Sequence, residues 1–471
     1  MTDYREPIHE TWLNSDRLLP TRFLRPVLEF TRIEAAGGIV LLIGAVIAVI
    51  WANSAAYESY FALFNTEFEM SFGPVHLHES FKDLINDGLM AVFFFVVGLE
   101  IKRELVVGEL NSVKKASLPA MAALGGMVIP ALVYLAFVIP TGDPEAIRGW
   151  GIPMATDIAF SVGVVALLGA RVSVGAKLFL LALAIVDDIG AIAVIAVFYT
   201  DELNLAYLGM AAGLITIGYL ARRVGISSMV FYVPLAFVIW YGFLESGVHA
   251  TIAGVALGLL TPVGAKYADE QFRQKAVQVL DRWDQNRASP HAAERLDQDA
   301  LELAEVARAS VAPLDRLEHA LHPWSSFVIV PLFALANAGV RFIGQEAPLS
   351  EQMTSPILLG VAVGLMVGKP IGIAAATWIG LKLKMGVLPK RTSLATIVGL
   401  GSLAGIGFTV SLFVTELAFR QELFANEAKL GIFIGSGIAG IVGALILWLV
   451  KTPSDDATDE MERLVPTRDS H

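Results

Sequence analysis

The feature that most constrains this chain is a series of long apolar segments separated by short polar breaks. The hydrocarbon core of a bilayer needs about 20 mostly apolar residues per helix, and segments of that kind recur between residues 35 and 450. Only 17% of the 471 residues are charged, whereas a soluble domain carries about a quarter. The pattern predicts an all-α membrane protein. It excludes a secreted enzyme, a nucleic-acid-binding protein and a disordered chain.

Twelve apolar windows predict about 12 transmembrane helices. They lie at residues 35–53, 83–107, 116–137, 150–170, 175–199, 203–221, 228–243, 247–262, 323–341, 355–380, 393–418 and 428–450. Of the 34 Lys and Arg residues, 28 lie on the side of the N-terminal segment and the tail, and five lie in the opposite loops. Cytoplasmic loops are enriched in Lys and Arg, so we expect both termini to be cytoplasmic.

The polar segments complete the organisation of the chain. We expect a cytoplasmic N-terminal segment at 1–34, spans 1–8 within 35–262, a charged cytoplasmic insertion at 263–322, spans 9–12 within 323–450 and a disordered tail at 451–471. The insertion has helical periodicity, and both a scaffold role and a regulatory or docking role fit it.

An external β-hairpin is expected near residues 66–79. Apolar and polar residues alternate there on both sides of Gly73-Pro74, which is typical of two short strands. Its edge could pair two protomers in a homodimer, and an ordinary surface hairpin fits equally well.

Two compositional features narrow the chemistry. The chain has no cysteine, which excludes disulfides, thiolate nucleophiles and Cys-ligated metals. Its net charge of −11 gives no indication of nucleic-acid binding. We expect no bound cofactor.

Aspartates within the apolar windows are the first candidate functional residues. An ionisable residue near the middle of a bilayer costs roughly 2.5–3.5 kcal/mol, which favours a functional role. Asp157 lies between Pro153 and Gly163, which together predict an interrupted helix; its carboxylate could also satisfy freed main-chain N–H groups. Asp187 and Asp188 are adjacent in the fifth window and should bind protons in coupled steps.

Lys369 is the basic residue deepest within a predicted span. Glycine occupies every fourth position around it, at 360, 364, 368 and 372. Such a row of small residues lets another helix approach closely. Pro370 bends the same helix. A buried lysine can carry a proton or pair with an aspartate, and both roles stay open. The glycine-rich segment 399–411 predicts a second interrupted helix.

These residues suggest a cation site. Carboxylates together with a hydroxyl such as Thr156 suit a small hard cation or protons. Because the same groups accept either a proton or an ion, a site exposed alternately to the two sides would exchange cations for protons.

Several sequence motifs resemble those of the NhaA family of sodium/proton antiporters, a family of the bacterial inner membrane. The motifs occur in order along the chain as VGLEIKREL at 97–105, ATDIAF at 155–160, LAIVDDIGA at 183–191, SGVHAT at 246–251, RLEHALHPW at 316–324, FALANAG at 333–339, GKP at 368–370 and GIGFT at 405–409. The resemblance implies inverted-topology repeats of spans 3–5 and 10–12, with interrupted helices 4 and 11 that cross.

The resemblance also implies roles for the candidate residues. Asp187 and Asp188 would exchange Na+ or Li+ for protons, with Thr156 close by. Asp157 would offset the positive ends of the half-helices, and Lys369 would offset the negative ends and pair with Asp187. The implied activity is electrogenic export of sodium or lithium with inward movement of protons, activated at alkaline pH.

A further set of residues matches family positions linked to the pH response. These are Glu100, Arg103, Glu104, Arg316, Glu318, His319, His322 and His249. Exposed charges at a helix end are often simply solvated, so a structural role is the alternative. The insertion at 263–312 is longer than in compact family members, and Asp315 stands where a basic residue is common.

Three other functions compete with cation–proton exchange as explanations of these features. A sodium-coupled solute symporter also fits broken helices, and a proton movement driven by sodium without added solute would distinguish the two. An intramembrane aspartyl protease needs Tyr-Asp and Gly-x-Gly-Asp contexts, which do not occur around Asp157, Asp187 or Asp188. A channel is disfavoured because no repeated selectivity residues are visible.

Overall fold

The apolar segments form helices in the computed structural model. The structure describes residues 36–72, 75–200, 203–226, 228–287, 292–341 and 352–450; the segments 1–34 and 451–471 lie outside this part. Among the described helices, eight are long and apolar enough to cross a membrane, or up to ten spans if each of two bent pairs counts as one. The chain is therefore a multi-pass helical membrane protein.

The described residues of the first half form ten helices, which we number in order. They are α1 Ala36–Ala52, α2 Tyr57–Phe64, α3 Phe81–Val106, α4 Val113–Val138, α5 Pro144–Arg148, α6 Ile158–Leu168, α7 Val174–Phe198, α8 Leu205–Arg223, α9 Met229–Glu245 and α10 Thr251–Leu260. A 3-10 segment, Gly149–Met154, lies between α5 and α6.

The described residues of the second half form seven more helices. They are α11 Asp269–Asn286, α12 Ala292–Ala309, α13 Pro313–Asn337, α14 Pro356–Lys382, α15 Leu394–Ala404, α16 Phe408–Ala418 and α17 Glu422–Leu449. Three helices contain a π-helical turn, at Leu84–Leu89 in α3, Ser325–Ile329 in α13 and Gly364–Gly368 in α14. Such turns often occur at functional sites.

Two strands, β1 Glu67–Phe72 and β2 Val75–Ser80, occupy the region where the sequence predicts a hairpin. They pair antiparallel, with Glu67 opposite Ser80. Ser80 then caps α3, because its Oγ accepts the N–H of Asp83 at 3.0 Å. The ribbon is thus joined directly to the start of a membrane helix.

The described residues divide into two compact units. The first lies within 36–86, 113–199 and 326–450, and the second within 87–112 and 200–325. In the first unit α14 packs against both α4 and α17, and α15 packs against α14 and α17. In the second, α10 packs along α3, α8 packs against α9, and α11 pairs with α12.

A close approach of α4 and α14 supports the site in the first unit. A Cβ at Gly372 would lie 2.1 Å from the carbonyl oxygen of Gly125, and a Cβ at Gly125 would lie 2.2 Å from that of Gly372. Only glycine fits at this crossing. The glycine row 360–372 packs against α4 along its length, as its spacing predicts, and this fixes the helix that carries Lys369.

The charged insertion forms the helical pair α11 and α12. Asp299 is buried and accepts hydrogen bonds from Arg282 Nε at 2.9 Å and from Asn286 Nδ2 at 2.7 Å. The hydrogen bond and charge of Asp299 raise the pKa of Arg282 above its ordinary value. One buried carboxylate therefore joins the two helices.

Candidate functional site

The chain between α5 and α6 is interrupted where the sequence predicts a break. After the 3-10 segment the backbone is extended at Ala155, and α6 begins at Ile158 with Asp157 as its N-cap. Asp157 Oδ1 accepts the N–H of Phe160 at 3.1 Å. An N-cap carboxylate satisfies a free N–H group and opposes the positive end of the helix dipole.

A second interruption separates α15 from α16. The two helices are bent by 49°, and the break spans Gly405 to Gly407. A Cβ at Gly405 would lie 2.4 Å from the carbonyl oxygen of Leu365, so α14 can approach the break only because this residue is glycine.

The two interruptions are hydrogen-bonded to each other. The N–H of Asp157 donates to Ile406 O at 2.6 Å, and Thr156 Oγ1 donates to Ala404 O at 2.8 Å. Thr409 donates to Asp157 Oδ2 through its main-chain N–H at 3.1 Å and through its hydroxyl. The buried Asp157 carboxylate thus accepts hydrogen bonds at the N-terminal ends of both α6 and α16.

An ion pair lies next to the first interruption. Lys369 Nζ is 2.6 Å from Asp187 Oδ2, and the two side chains are 0% and 1% exposed. The same Nζ donates to the carbonyl oxygen of Met154, the last residue of the 3-10 segment. Lys369 therefore places its charge at the negative end of that segment and against an aspartate of α7.

The Asp187 carboxylate has unused hydrogen-bonding capacity. Within the described part of the chain, its Oδ1 is buried and has no hydrogen-bond partner. Asp188, 8% exposed, lies close enough to act electrostatically on Lys369. A buried carboxylate oxygen without a donor is costly, and a hard cation or a proton would satisfy it.

The residues matched to a pH response lie in the second unit and form one cluster in part. Arg103 of α3 is 2.5 Å from Glu318 of α13, and Glu100 interacts electrostatically with both of them and with Glu104. Glu104 Oε2 also accepts the N–H of Glu109 at 2.9 Å. The Glu100 carboxylate is therefore close to two further carboxylates and to the Arg103 guanidinium.

The other members of this predicted set are three exposed residues of the helix that carries Glu318, and His249. Arg316, His319 and His322 are exposed on α13. His249 precedes α10, which runs parallel to α3, because Gly254 meets Ala91 and Gly258 meets Gly98. At 1.5 Å per residue, His249 lies about 20 Å along α3 from Arg103.

Several contacts of the site were not predicted from the sequence. The Thr409 hydroxyl and the carbonyl groups of Met154 and Ile406 take part. The motif at 405–409 contains Thr409 and could have identified it as a site residue. The main-chain carbonyl groups could not be identified in this way, because every residue has one.

Comparisons with known proteins identify the family of this chain. The family model described as Na+/H+ antiporter 1 matches residues 28–447. The chain is 44% identical to the Na(+)/H(+) antiporter NhaA 2 of Sorangium cellulosum over 96% of both chains. It is 43% identical to the Na(+)/H(+) antiporter NhaA of Rhodopirellula baltica over 92% of this chain and 96% of the relative. It is also 43% identical to the Na(+)/H(+) antiporter NhaA 2 of Myxococcus xanthus over 93% of both chains. The chain belongs to the NhaA family of Na+/H+ antiporters, a family of transporters and not of enzymes.

Proposed function

We propose that this protein is an electrogenic antiporter that exports Na+ or Li+ in exchange for inward protons by alternating access. The observation that carries the proposal is the carboxylate of the buried Asp187. One of its oxygens forms an ion pair with Lys369, and the other has no hydrogen-bond partner in the described structure. A sodium-coupled symporter remains the alternative, and no specific contact favours it.

Competition between Na+ and protons is the proposed mechanism. Asp187 and Asp188 bind the cation, with Thr156 as a further oxygen ligand, and they bind protons when the cation leaves. Lys369 pairs with Asp187 when the cation is absent and carries a proton when the pair opens. Asp157 compensates the positive ends of α6 and α16 throughout. No bound cofactor is needed.

The proposed fold completes this account. The helices α9 and α10 are apolar but shorter than the eight long spans; counting both with the bent pairs gives twelve spans. We propose inverted repeats of spans 3–5 and 10–12 whose interrupted helices cross, both termini in the cytoplasm, and residence in the bacterial inner membrane. The ribbon β1–β2 pairs two protomers in a homodimer.

Activation at alkaline pH is proposed to reside in the predicted charged set. Glu100, Arg103, Glu104 and Glu318 form its centre, because they are close enough to interact electrostatically. The exposed Arg316, His319 and His322, together with the distant His249, complete the set named from the sequence.

The test is sodium-induced dequenching of a pH-sensitive dye in everted vesicles, without added solute, between pH 6.5 and 9. Wild type should respond more strongly as the pH rises, Asp188→Asn should be silent, and Lys369→Ala should respond more weakly than wild type, because the lysine carries a proton. Asp143→Asn, a carboxylate that caps α5, is the matched control and should respond as wild type. Normal exchange by a folded Asp188→Asn protein would overturn the assignment.

A further inference from the structure

A second buried charge cluster lies in the first unit, outside the cation site. Glu416 of α16 lies between two lysines: its Oε2 is 2.5 Å from Lys82 Nζ and its Oε1 is 2.7 Å from Lys429 Nζ. The side chains are 16%, 26% and 8% exposed in the order Glu416, Lys82, Lys429. The three residues come from α16, α3 and α17, so one carboxylate ties three helices together.

The cluster and the cation site share α16. Thr409, in the first turn of this helix, donates to Asp157, and Glu416 lies seven residues later. Seven residues are about two turns and about 10 Å, so the two side chains lie on the same face of α16. The helix is therefore held at one end by the Asp157 carboxylate and at the other end by two ammonium groups.

Packing alone already buries α16. Its residues from Phe408 to Thr415 are all buried, and Ser411 donates to Ile152 O at 2.8 Å. Apolar side chains of similar volume usually stabilise a buried position at least as well as an ion pair does. The three partly buried charges are thus not needed to bury α16. Ion pairs depend on direction and distance, so they can set the position of the helix along its axis.

We infer that Glu416, held by Lys82 and Lys429, is a positioning residue that fixes α16 and so places Thr409 against Asp157. The inference rests on the proposed cation exchange, because Asp157 acts there as the compensating charge. Loss of the tie lets α16 shift and weakens the hydrogen bonds that hold the two interruptions together. The expected consequence is weaker cation binding with little change in the maximal rate.

The transport test compares Glu416→Gln with wild type in proteoliposomes. The apparent KM for Na+ should rise at least fivefold, and the maximal rate should change less than twofold. Glu427→Gln is the matched control, since Glu427 lies on α17 near Lys429 but binds Ser355 Oγ instead; its KM should change less than twofold. In a Thr409→Val background, Glu416→Gln should add less than a twofold further increase. Additive effects would overturn the inference.

Hydrogen exchange of the purified protein gives a test that does not depend on transport. Amides of 408–418 should exchange at least tenfold faster in Glu416→Gln than in wild type or Glu427→Gln. If Glu416→Gln does not fold, the apolar triple variant Lys82→Met, Glu416→Met, Lys429→Met replaces it, because it leaves no unpaired charge. Unchanged exchange in 408–418 overturns the inference whatever the transport data show. If the wild-type protein shows no sodium-driven proton movement, the proposed function is refuted. The hydrogen-exchange rates of 408–418 then decide by themselves whether Glu416 positions α16.

Discussion

Replacing Lys369 with methionine should test whether the Lys369–Asp187 pair is a closed ion pair in the resting protein. Both side chains are essentially unexposed, and Nζ lies 2.6 Å from Oδ2. Removing one partner of a buried pair leaves the other charge uncompensated and costs about 3–5 kcal/mol, whereas replacing both with apolar residues is often neutral. We therefore expect Lys369→Met to lower the free energy of unfolding by about 3–5 kcal/mol.

A double-mutant cycle isolates the pair. Asp187→Val alone should destabilise the protein by a similar amount, and the double variant should be less destabilised than either single variant. Unfolding in detergent can be followed through the fluorescence of the eight tryptophans. Lys382→Met is the control: this exposed lysine of the same helix lies 5.3 Å from the Trp378 ring, and an exposed contact of this kind contributes about 0.5–1 kcal/mol.

Two results would refute the reasoning about this pair. If the destabilisation of the double variant equals the sum of the two single variants, the side chains do not interact in the folded protein. A Lys369→Met protein that unfolds at the wild-type temperature would lead to the same conclusion.

Three further predictions concern the surroundings of the site. Thr409→Val removes a hydroxyl hydrogen bond to the Asp157 carboxylate, so it should lower the free energy of unfolding by about 1.5–3 kcal/mol. It should also weaken the affinity for Na+ in a binding titration, and an unchanged affinity would contradict the assigned geometry. Gly372→Ala places a Cβ 2.1 Å from a carbonyl oxygen and should lower the melting temperature, whereas Gly437→Ala, where no atom lies within 4 Å, should leave it unchanged. Asp299→Ala removes the buried carboxylate that accepts hydrogen bonds from α11 and leaves, among the described residues, only the exposed pair of Arg282 with Glu302, so limited proteolysis within the insertion should become several-fold faster while the KM for Na+ stays the same.

Much of the fold was predictable because lipid requires long apolar helices whose main-chain groups are satisfied internally. The break before Asp157 followed from Pro153, and the break in 399–411 followed from glycine content. The close packing of α14 followed from glycines spaced by four. The sequence left the role of Lys369 open between a structural pair and a proton carrier, since helical periodicity gives the face of a side chain but not its partner.

The remaining contacts depend on tertiary structure that no single segment encodes. The apolar windows began at 83 and 428, which left Lys82 just outside its span and Lys429 at the very start of its span, so both were assigned to the opposite loops. In the structure the two lysines lie on helices that begin at Phe81 and Glu422. Hydropathy counts a lysine as a break, although a buried carboxylate from another helix can neutralise it. The carbonyl partners of Thr156 and Lys369 were likewise invisible, because every residue has a carbonyl group.

The apparent KM for Na+, measured from transient currents at fixed membrane potential across a series of pH values, tests the central claim most directly. If Na+ and protons compete for Asp187 and Asp188, the KM should rise as the pH falls in the acidic range, while the maximal current stays nearly constant. For every proton that one Na+ displaces, the expected rise is about tenfold per pH unit. A KM that does not change with pH, with a maximal current that does, would show that protons act elsewhere and would contradict the account.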